Sequence, residues 1–301
     1  MTHLPRSAMR PIRSFLFVPG HRESWIDRVA GHGADAVILD LEDSVPTDHK
    51  EAARALVADK IAGLAAAGQR VYVRINRSPA LYDFDDILAV TREGLEGLVL
   101  SKPGGPEDIQ IAAALVSEAE MRNGLELGRI ALTPTLETAR SMQVAYEIAL
   151  NPRVNAICGA SAKNGDSARA LGIEWSPEGT ETLYMSQRTV MAARATGKMP
   201  LGGLWQDVHD LEGLERYARR NHAHGFVGEM ILHPSNVAVV NRAYTPTPEE
   251  IRYFKGMIEA YEKAVAQGIG AVIYDGDHVD LAHVQTAHAV VALAEGAGGE
   301  D

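Results

Sequence analysis

The stretch Gly33-Ala34-Asp35-Ala36-Val37-Ile38-Leu39-Asp40-Leu41-Glu42-Asp43 joins a short apolar run to a group of carboxylates. Ala36 to Leu39 is continuous in apolar residues, as expected of a strand covered on both faces. Comparable runs recur along the chain: Phe15 to Val18, Val71 to Ile75, Gly97 to Leu100, Ile130 to Thr133, Ala156 to Cys158, Leu201 to Leu204 and Phe226 to Leu232. Segments of helical period separate them, and that alternation marks βα units feeding a parallel sheet. Eight such repeats in roughly 250 residues predict a closed (β/α)8 TIM barrel rather than a doubly wound open sheet.

Helix starts agree with this spacing. Ser24 can cap a helix through Val29, and Thr47 one carrying Ala52, Leu56, Ile61 and Leu64. Gly105-Pro106 opens another, Asp210 starts one ending near Gly225, and Thr247-Pro248-Glu249-Glu250 combines a cap, a first-turn proline and a capping-box glutamate. Leu281 to Ala294 reads as an additional helix outside the repeats. The expected division is a barrel over 1–245 and a C-terminal helical extension over 246–301.

Acidic residues outnumber basic ones by 40 to 29, and the formal charge of −11 argues against general affinity for nucleic acid or anionic membrane. Anionic ligands must then be met by local arginines. No run of about 18 apolar residues occurs, and Met1 to Arg10 lacks the apolar stretch of a secretory signal, so a cytoplasmic location is expected. The single cysteine, Cys158, lies in an apolar run and reads as a buried thiol. The glycine-rich tail from Glu295 to Asp301 is expected to fray.

Reacting groups in such a barrel lie where strands end and loops begin, at the carboxyl face. In order, the strand ends carry Pro19-Gly20, Asp40 with Glu42 and Asp43, Arg74 with Asn76, Lys102, Glu137, Asp166, Asp207 and His233. Carboxylates dominate, and several facing one cavity would raise one another's pKa unless a cation sat among them. Glu137 and Asp166, on consecutive strand ends, would suffice for Mg²⁺, which takes one or two carboxylates and completes its shell with water and substrate oxygens. Without a His/Cys cluster of tight spacing, zinc is not indicated. A strand-end carboxylate can instead cap a helix or pair with a basic neighbour. Arg74, at an apolar strand end, requires an anionic partner, which Asp40, Glu42 or a substrate carboxylate could supply. His233 reads as a structural hydrogen-bonder.

Longer strings around these residues resemble a known family. Arg13-Ser14-Phe15-Leu16-Phe17-Val18-Pro19-Gly20, the stretch Gly33 to Asp43 and Val73-Arg74-Ile75-Asn76 are similar, in order and spacing, to the citrate lyase β-subunit and malyl-CoA lyase family of the HpcH/HpaI aldolase superfamily. Leu136-Glu137-Thr138-Ala139 resembles its metal-binding glutamate motif, and Gly165-Asp166 with Leu171-Gly172 its metal-binding aspartate motif. Ala192-Ala193-Arg194-Ala195, Gly225-Phe226, Ile231-Leu232-His233-Pro234 and Asp275-Gly276 through Asp280 also fit, so the likeness runs from about Arg13 to Ala294.

The resemblance implies a Mg²⁺- or Mn²⁺-dependent carbon–carbon lyase acting on a 2-hydroxy acid acyl-CoA thioester, assembled as a homotrimer or homohexamer. It implies that Glu137 and Asp166 hold the metal, that Arg13 and Arg74 contact substrate, and that Asp280 is an acid/base residue donated by a neighbouring subunit. Glu42 and Asp43 would organise metal waters and Arg74. Two departures touch the thioester: the chain reads Ser101-Lys102-Pro103-Gly104-Gly105 where the family has Pro-Lys-Val, and Gly228-Glu229 where it has Gly-Lys. If that lysine meets a CoA phosphate, Glu229 reverses its charge and weakens CoA binding. The alternatives are a metal-dependent aldolase on free hydroxy-keto acids and a citrate lyase β-like subunit that needs an acyl carrier partner.

Overall fold

The computed structural model describes residues 11–159 and 162–297, so the first ten residues and the last four of the tail lie outside the described residues. The chain forms two compact units, Met1–Asn241 and Arg242–Asp301.

In the first unit the strands are β1 (Ser14–Pro19), β2 (Ala36–Asp40), β3 (Arg70–Arg74), β4 (Leu95–Leu100), β5 (Ala131–Pro134), β6 (Ala156–Cys158), β7 (Met199–Gly202) and β8 (Gly228–Ile231). They run parallel in the order β5-β4-β3-β2-β1-β8-β7-β6. The outer members also meet, through bridges Leu132↔Val154 and Thr135↔Cys158, and this closes the sheet as the barrel expected from the sequence.

Side chains alternate across a strand, and the alternation here decides which residues face the barrel axis. Phe15, Ala36, Ile38, Tyr72, Val99, Cys158, Leu201 and Met230 pack together inside, with Phe15 and Tyr72 edge to face at 4.8 Å. Two residues further along the same faces come Phe17, Asp40 and Arg74. The parallel register pairs Asp40 with Arg74 directly, so an inward acid and an inward base are adjacent at the carboxyl end. Gly20 lets β1 end hard against β2: its N–H donates to the Asp40 carbonyl at 2.8 Å, and a Cβ there would lie 2.6 Å from that oxygen.

Several local expectations shift. β7 begins two residues before the expected Leu201, because Pro200 still pairs with Ile157, and it stops at Gly202. The next residue, Gly203, has φ +117°, and a Cβ on it would lie 2.6 Å from the Met230 carbonyl oxygen. Ser24 lies inside the short helix Glu23–Ile26 instead of capping one that reaches Val29. Thr47 opens a 3-10 turn, and the long helix Lys50–Ala66 follows without a side-chain cap. Asp210 does cap Leu211–Ala223 through the Gly213 N–H, and Pro106 does open Pro106–Arg122.

The second unit packs the helices Pro248–Val265 and Leu281–Ala297 around Met257, Val279, Val284 and Ala287. Thr247 and Glu250 form the expected reciprocal capping box. Between the helices lies an antiparallel hairpin, β9 (Val272–Tyr274) and β10 (Asp277–Val279). Asp275 and Gly276, at φ +50° and +89°, make its two-residue turn. No helix among the described residues is long and apolar enough to cross a membrane.

Candidate active site

Arg74 anchors the carboxyl end of the barrel. Its Nε and Nη2 each donate to Asp40 at 2.6 Å, its Nη1 lies 3.1 Å from Glu42 Oε2, and its guanidinium stacks 4.7 Å from the Phe17 ring. Burial opposes the Arg74 charge, but Asp40, Glu42 and Glu137 more than offset it, and the pKa is raised. Asp40 is almost fully buried, which opposes its ionisation. The Arg74 guanidinium, the Ser44 side chain and the Glu42 N–H nevertheless hold its carboxyl below the usual range. The Ser44 and Glu42 N–H groups, donating to Asp40 at 3.2 and 2.9 Å, fold the loop after β2 around it.

That loop presents Glu42 and Asp43, and Lys50 braces it from behind. The Lys50 ammonium donates to the carbonyls of Leu41 and Glu42 at 2.8 and 2.7 Å and to Asn76 Oδ1 at 2.6 Å. Asn76 is in turn fixed by Asp86, which pairs with Arg54.

Lys102 follows β4 and meets the loop from the other side. Its ammonium lies 3.0 Å from Glu42, 2.9 Å from Asp43 and 3.3 Å from Asp166, while its backbone N–H donates to Glu137 at 3.3 Å. Glu137 also accepts from the Thr135 hydroxyl at 3.1 Å. Its pKa is pushed up to about 7, by burial first and then by Glu42, with Arg74 and Lys102 pulling the other way. Asp166 begins the helix Asp166–Leu171 and also pairs with Arg169.

Arg74, Glu42, Asp43, Glu137 and Asp166 are thus brought together at the carboxyl end, although Asp166 stands at the start of the helix after β6 and not at the strand end itself. Arg13 is not. It precedes β1, at the opposite end of the strands, and its backbone N–H and guanidinium are held by Asp35 at 2.8–2.9 Å. A residue locked there is far from the carboxyl-end cluster and has no route to a substrate bound in it. His233 caps the turn Pro234–Asn236 as a structural group. In the second unit Asp280 accepts from the Ala282 N–H at 3.0 Å and lies 2.7 Å from His283 Nδ1, an exposed helix cap whose pKa is lowered by His283.

Glu229 requires a second correction. Inward-facing Met230 puts Glu229 on the outer face of β8, where it is 1 % exposed and accepts from Asn221 Nδ2 at 2.8 Å. A carboxylate enclosed between strand and helix does not meet a CoA phosphate, so it gives no reason against CoA. Lys102 was legible as a strand-end cation, but its contact with three carboxylates was not, because it depends on a left-handed backbone at φ +52°.

The donor set is all oxygen and rich in carboxylates. Among the described residues no group of three or more His, Cys, Asp or Glu forms a ready metal cage. Two carboxylates with open positions for water and substrate suit a hard divalent ion, and Glu137 gains its charge at neutral pH most readily beside one.

The family model for HpcH/HpaI aldolase/citrate lyase matches residues 13–234. An L-malyl-CoA/β-methylmalyl-CoA lyase from Cereibacter sphaeroides is 32 % identical over 312 residues, 97 % of each chain. A (3S)-malyl-CoA thioesterase from the same organism is 30 % identical over 285 residues, 95 % of each. The crystal structure of CitE from Mycobacterium tuberculosis in complex with magnesium, acetoacetate and coenzyme A superposes with a TM-score of 0.75 at 25 % identity, covering 95 % of this chain and 100 % of that one.

Proposed function

The chain belongs to the HpcH/HpaI aldolase/citrate lyase family, and from that premise we propose that it is a Mg²⁺- or Mn²⁺-dependent carbon–carbon lyase. Its substrate would be the CoA thioester of a 2-hydroxy acid, of the malyl-, citramalyl- or citryl-CoA type, cleaved to an acyl-CoA and a 2-keto acid or formed from them. The observation that carries this reading is the inward Arg74, fixed by Asp40 beside Glu42 and Glu137 at the carboxyl end of the barrel.

Glu137 and Asp166 would hold the divalent ion. When bound, such an ion polarises the hydroxyl and carboxylate oxygens of a 2-hydroxy acid and stabilises the carbonyl that develops from them. Two hydrogen bonds to Asp40 hold Arg74 in one orientation, so its remaining N–H groups are preorganised donors for oxygen charge that develops as the carbon–carbon bond breaks. Glu42 and Asp43, held by Lys102, orient water and the Arg74 side chain. Asp280 of a neighbouring subunit in a homotrimer or homohexamer, ionised at rest because His283 holds its pKa down, takes the hydroxyl proton as the carbon–carbon bond breaks and returns it to the carbon of the departing enolate. The cap role of Asp280 within its own helix is compatible with this, because only one carboxylate oxygen carries the cap bonds.

A second reading, thioester hydrolysis, is favoured by the thioesterase relative, whose similarity is comparable to that of the lyase. The purified chain with Mg²⁺ and each candidate thioester separates them. Release of 2-keto acid without free thiol supports the lyase, and free thiol without keto acid supports the thioesterase. Cleavage of a free hydroxy-keto acid, with thioesters untouched, would instead indicate an aldolase that does not use CoA. Activity that appears only with an acyl carrier protein would indicate a partner-dependent subunit.

A further inference from the structure

The polar groups of Lys102 are all engaged, and its ammonium and N–H meet the site. Its ammonium touches Glu42, Asp43 and Asp166, its N–H donates to Glu137, and its carbonyl accepts from Arg77 at 3.1 Å. The residue adopts a left-handed backbone that a side chain rarely takes, and such strain persists only where the surroundings over-determine it. Carboxylates from the loops after β2 and β6 would repel one another without this charge between them.

We infer that Lys102 is a positioning residue that serves as the resident cation of the site, holding Glu42, Asp43 and Asp166 together and competing for Asp166 with the divalent ion. The inference rests on the reading that Glu137 and Asp166 bind that ion. Because like charges near one carboxylate oppose each other, Lys102 lowers affinity for the ion while keeping Glu42 and Asp43 in place for turnover. A role confined to folding would change stability and leave ion affinity alone.

Mg²⁺ titration by calorimetry on the full chain, without substrate, tests this with Lys102→Met and Lys102→Gly. Both remove the ammonium, and only glycine also relieves the backbone. Both are expected to bind Mg²⁺ about tenfold or more tightly than the wild type. Their kcat should fall about tenfold or more. Unchanged or weaker Mg²⁺ binding in folded variants overturns the inference and leaves the metal site standing. The wild type supplies a measurement independent of variant folding: amine-selective methylation of Lys102, followed by mass spectrometry, should speed up when Mg²⁺ is added. An unchanged labelling rate with Mg²⁺ bound also overturns the competition. If the wild type does not bind Mg²⁺ at all, the metal reading fails, and this inference with it.

Discussion

The two ends of the barrel treat charge differently. At the amino end three carboxylates have arginines of their own: Asp35 has Arg13, Glu96 has Arg70, and Glu120 has Arg153. These pairs are closed, because Tyr72 also donates to Glu96 and the Gly128 and Ile130 N–H groups donate to Glu120. At the carboxyl end Asp40, Glu42, Asp43, Glu137 and Asp166 outnumber the cationic side chains in contact with them, Arg74, Lys102 and Arg169. A closed pair serves stability, whereas an excess of carboxylate is useful only if something positive arrives from outside. The contrast separates scaffold from site without reference to any relative.

The largest loss is expected at Glu137. Glu137→Gln should lower metal-dependent turnover by about 10³-fold or more with the fold intact, since the side chain keeps its shape and loses its charge. Calorimetry that finds wild-type Mg²⁺ affinity in this variant would remove the carboxyl-end reading. At the other end, Glu120→Ala should cost about 3–5 kcal/mol by urea denaturation, because it strands the largely buried Arg153, while kcat per folded molecule stays at the wild-type level. A loss of kcat with normal stability would mean that the amino end is not mere scaffold.

A smaller loss is expected from Asp280→Asn in the second unit. Asparagine caps nearly as well as aspartate, so turnover should fall about 10²-fold with KM and melting temperature little changed. A silent substitution would leave Asp280 as a cap alone. Mixed oligomers of inactive Asp280→Asn and inactive Glu137→Gln chains should regain partial activity if the residues meet across subunits, and no recovery would end the shared-site proposal.

The smallest expected effect is on stability against pH. Glu96 and Glu120 have folded pKa values below their unfolded ones, so their contribution is present above about pH 4.5 and is lost as pH falls through the folded values. Glu137 has the opposite sign. Its raised value, about 7, means that the metal-free fold is stabilised by protonation and loses that contribution as pH rises from about 4.5 through 7. Metal-free wild type should therefore gain stability on acidification from pH 7.5 to 5, and Glu137→Gln should not. Parallel curves for the two proteins in urea melts would refute the assignment.

The strands could be read from residues such as Val37-Ile38-Leu39 because enclosure on both faces leaves continuous apolar runs. Alternation along β2 and β3 directs Asp40 and Arg74 inward, whereas Glu137 and Asp166 lie in the segments that follow β5 and β6 and are legible only by that position. Arg13 misled because its string resembles a site motif, although it stands before its strand and not after it. Glu229 misled for a related reason: type and charge were legible, but its outward direction depended on where β8 sits. The hairpin at Asp275-Gly276 carries a sequence signal, Asp-Gly flanked by Val272-Ile273-Tyr274 and a valine at 279. Lys102 reads as a strand-end cation, but its three carboxylate partners do not follow from the sequence, because they arrive from different loops.

The direct register of Asp40 against Arg74 has a consequence for how this sequence can vary. Both side chains point inward only because each lies an even number of residues beyond an inward aromatic or aliphatic neighbour, Tyr72 for one and Ile38 for the other. Deleting a single residue within β3 would turn Arg74 toward the surrounding helices and leave Asp40 facing an empty position, even if every apolar residue stayed apolar. Length is therefore under tighter constraint than identity in β2 and β3, while the loop after Arg74, from Ser78 to Leu81, lies at the surface and can lengthen or shorten without disturbing that parity.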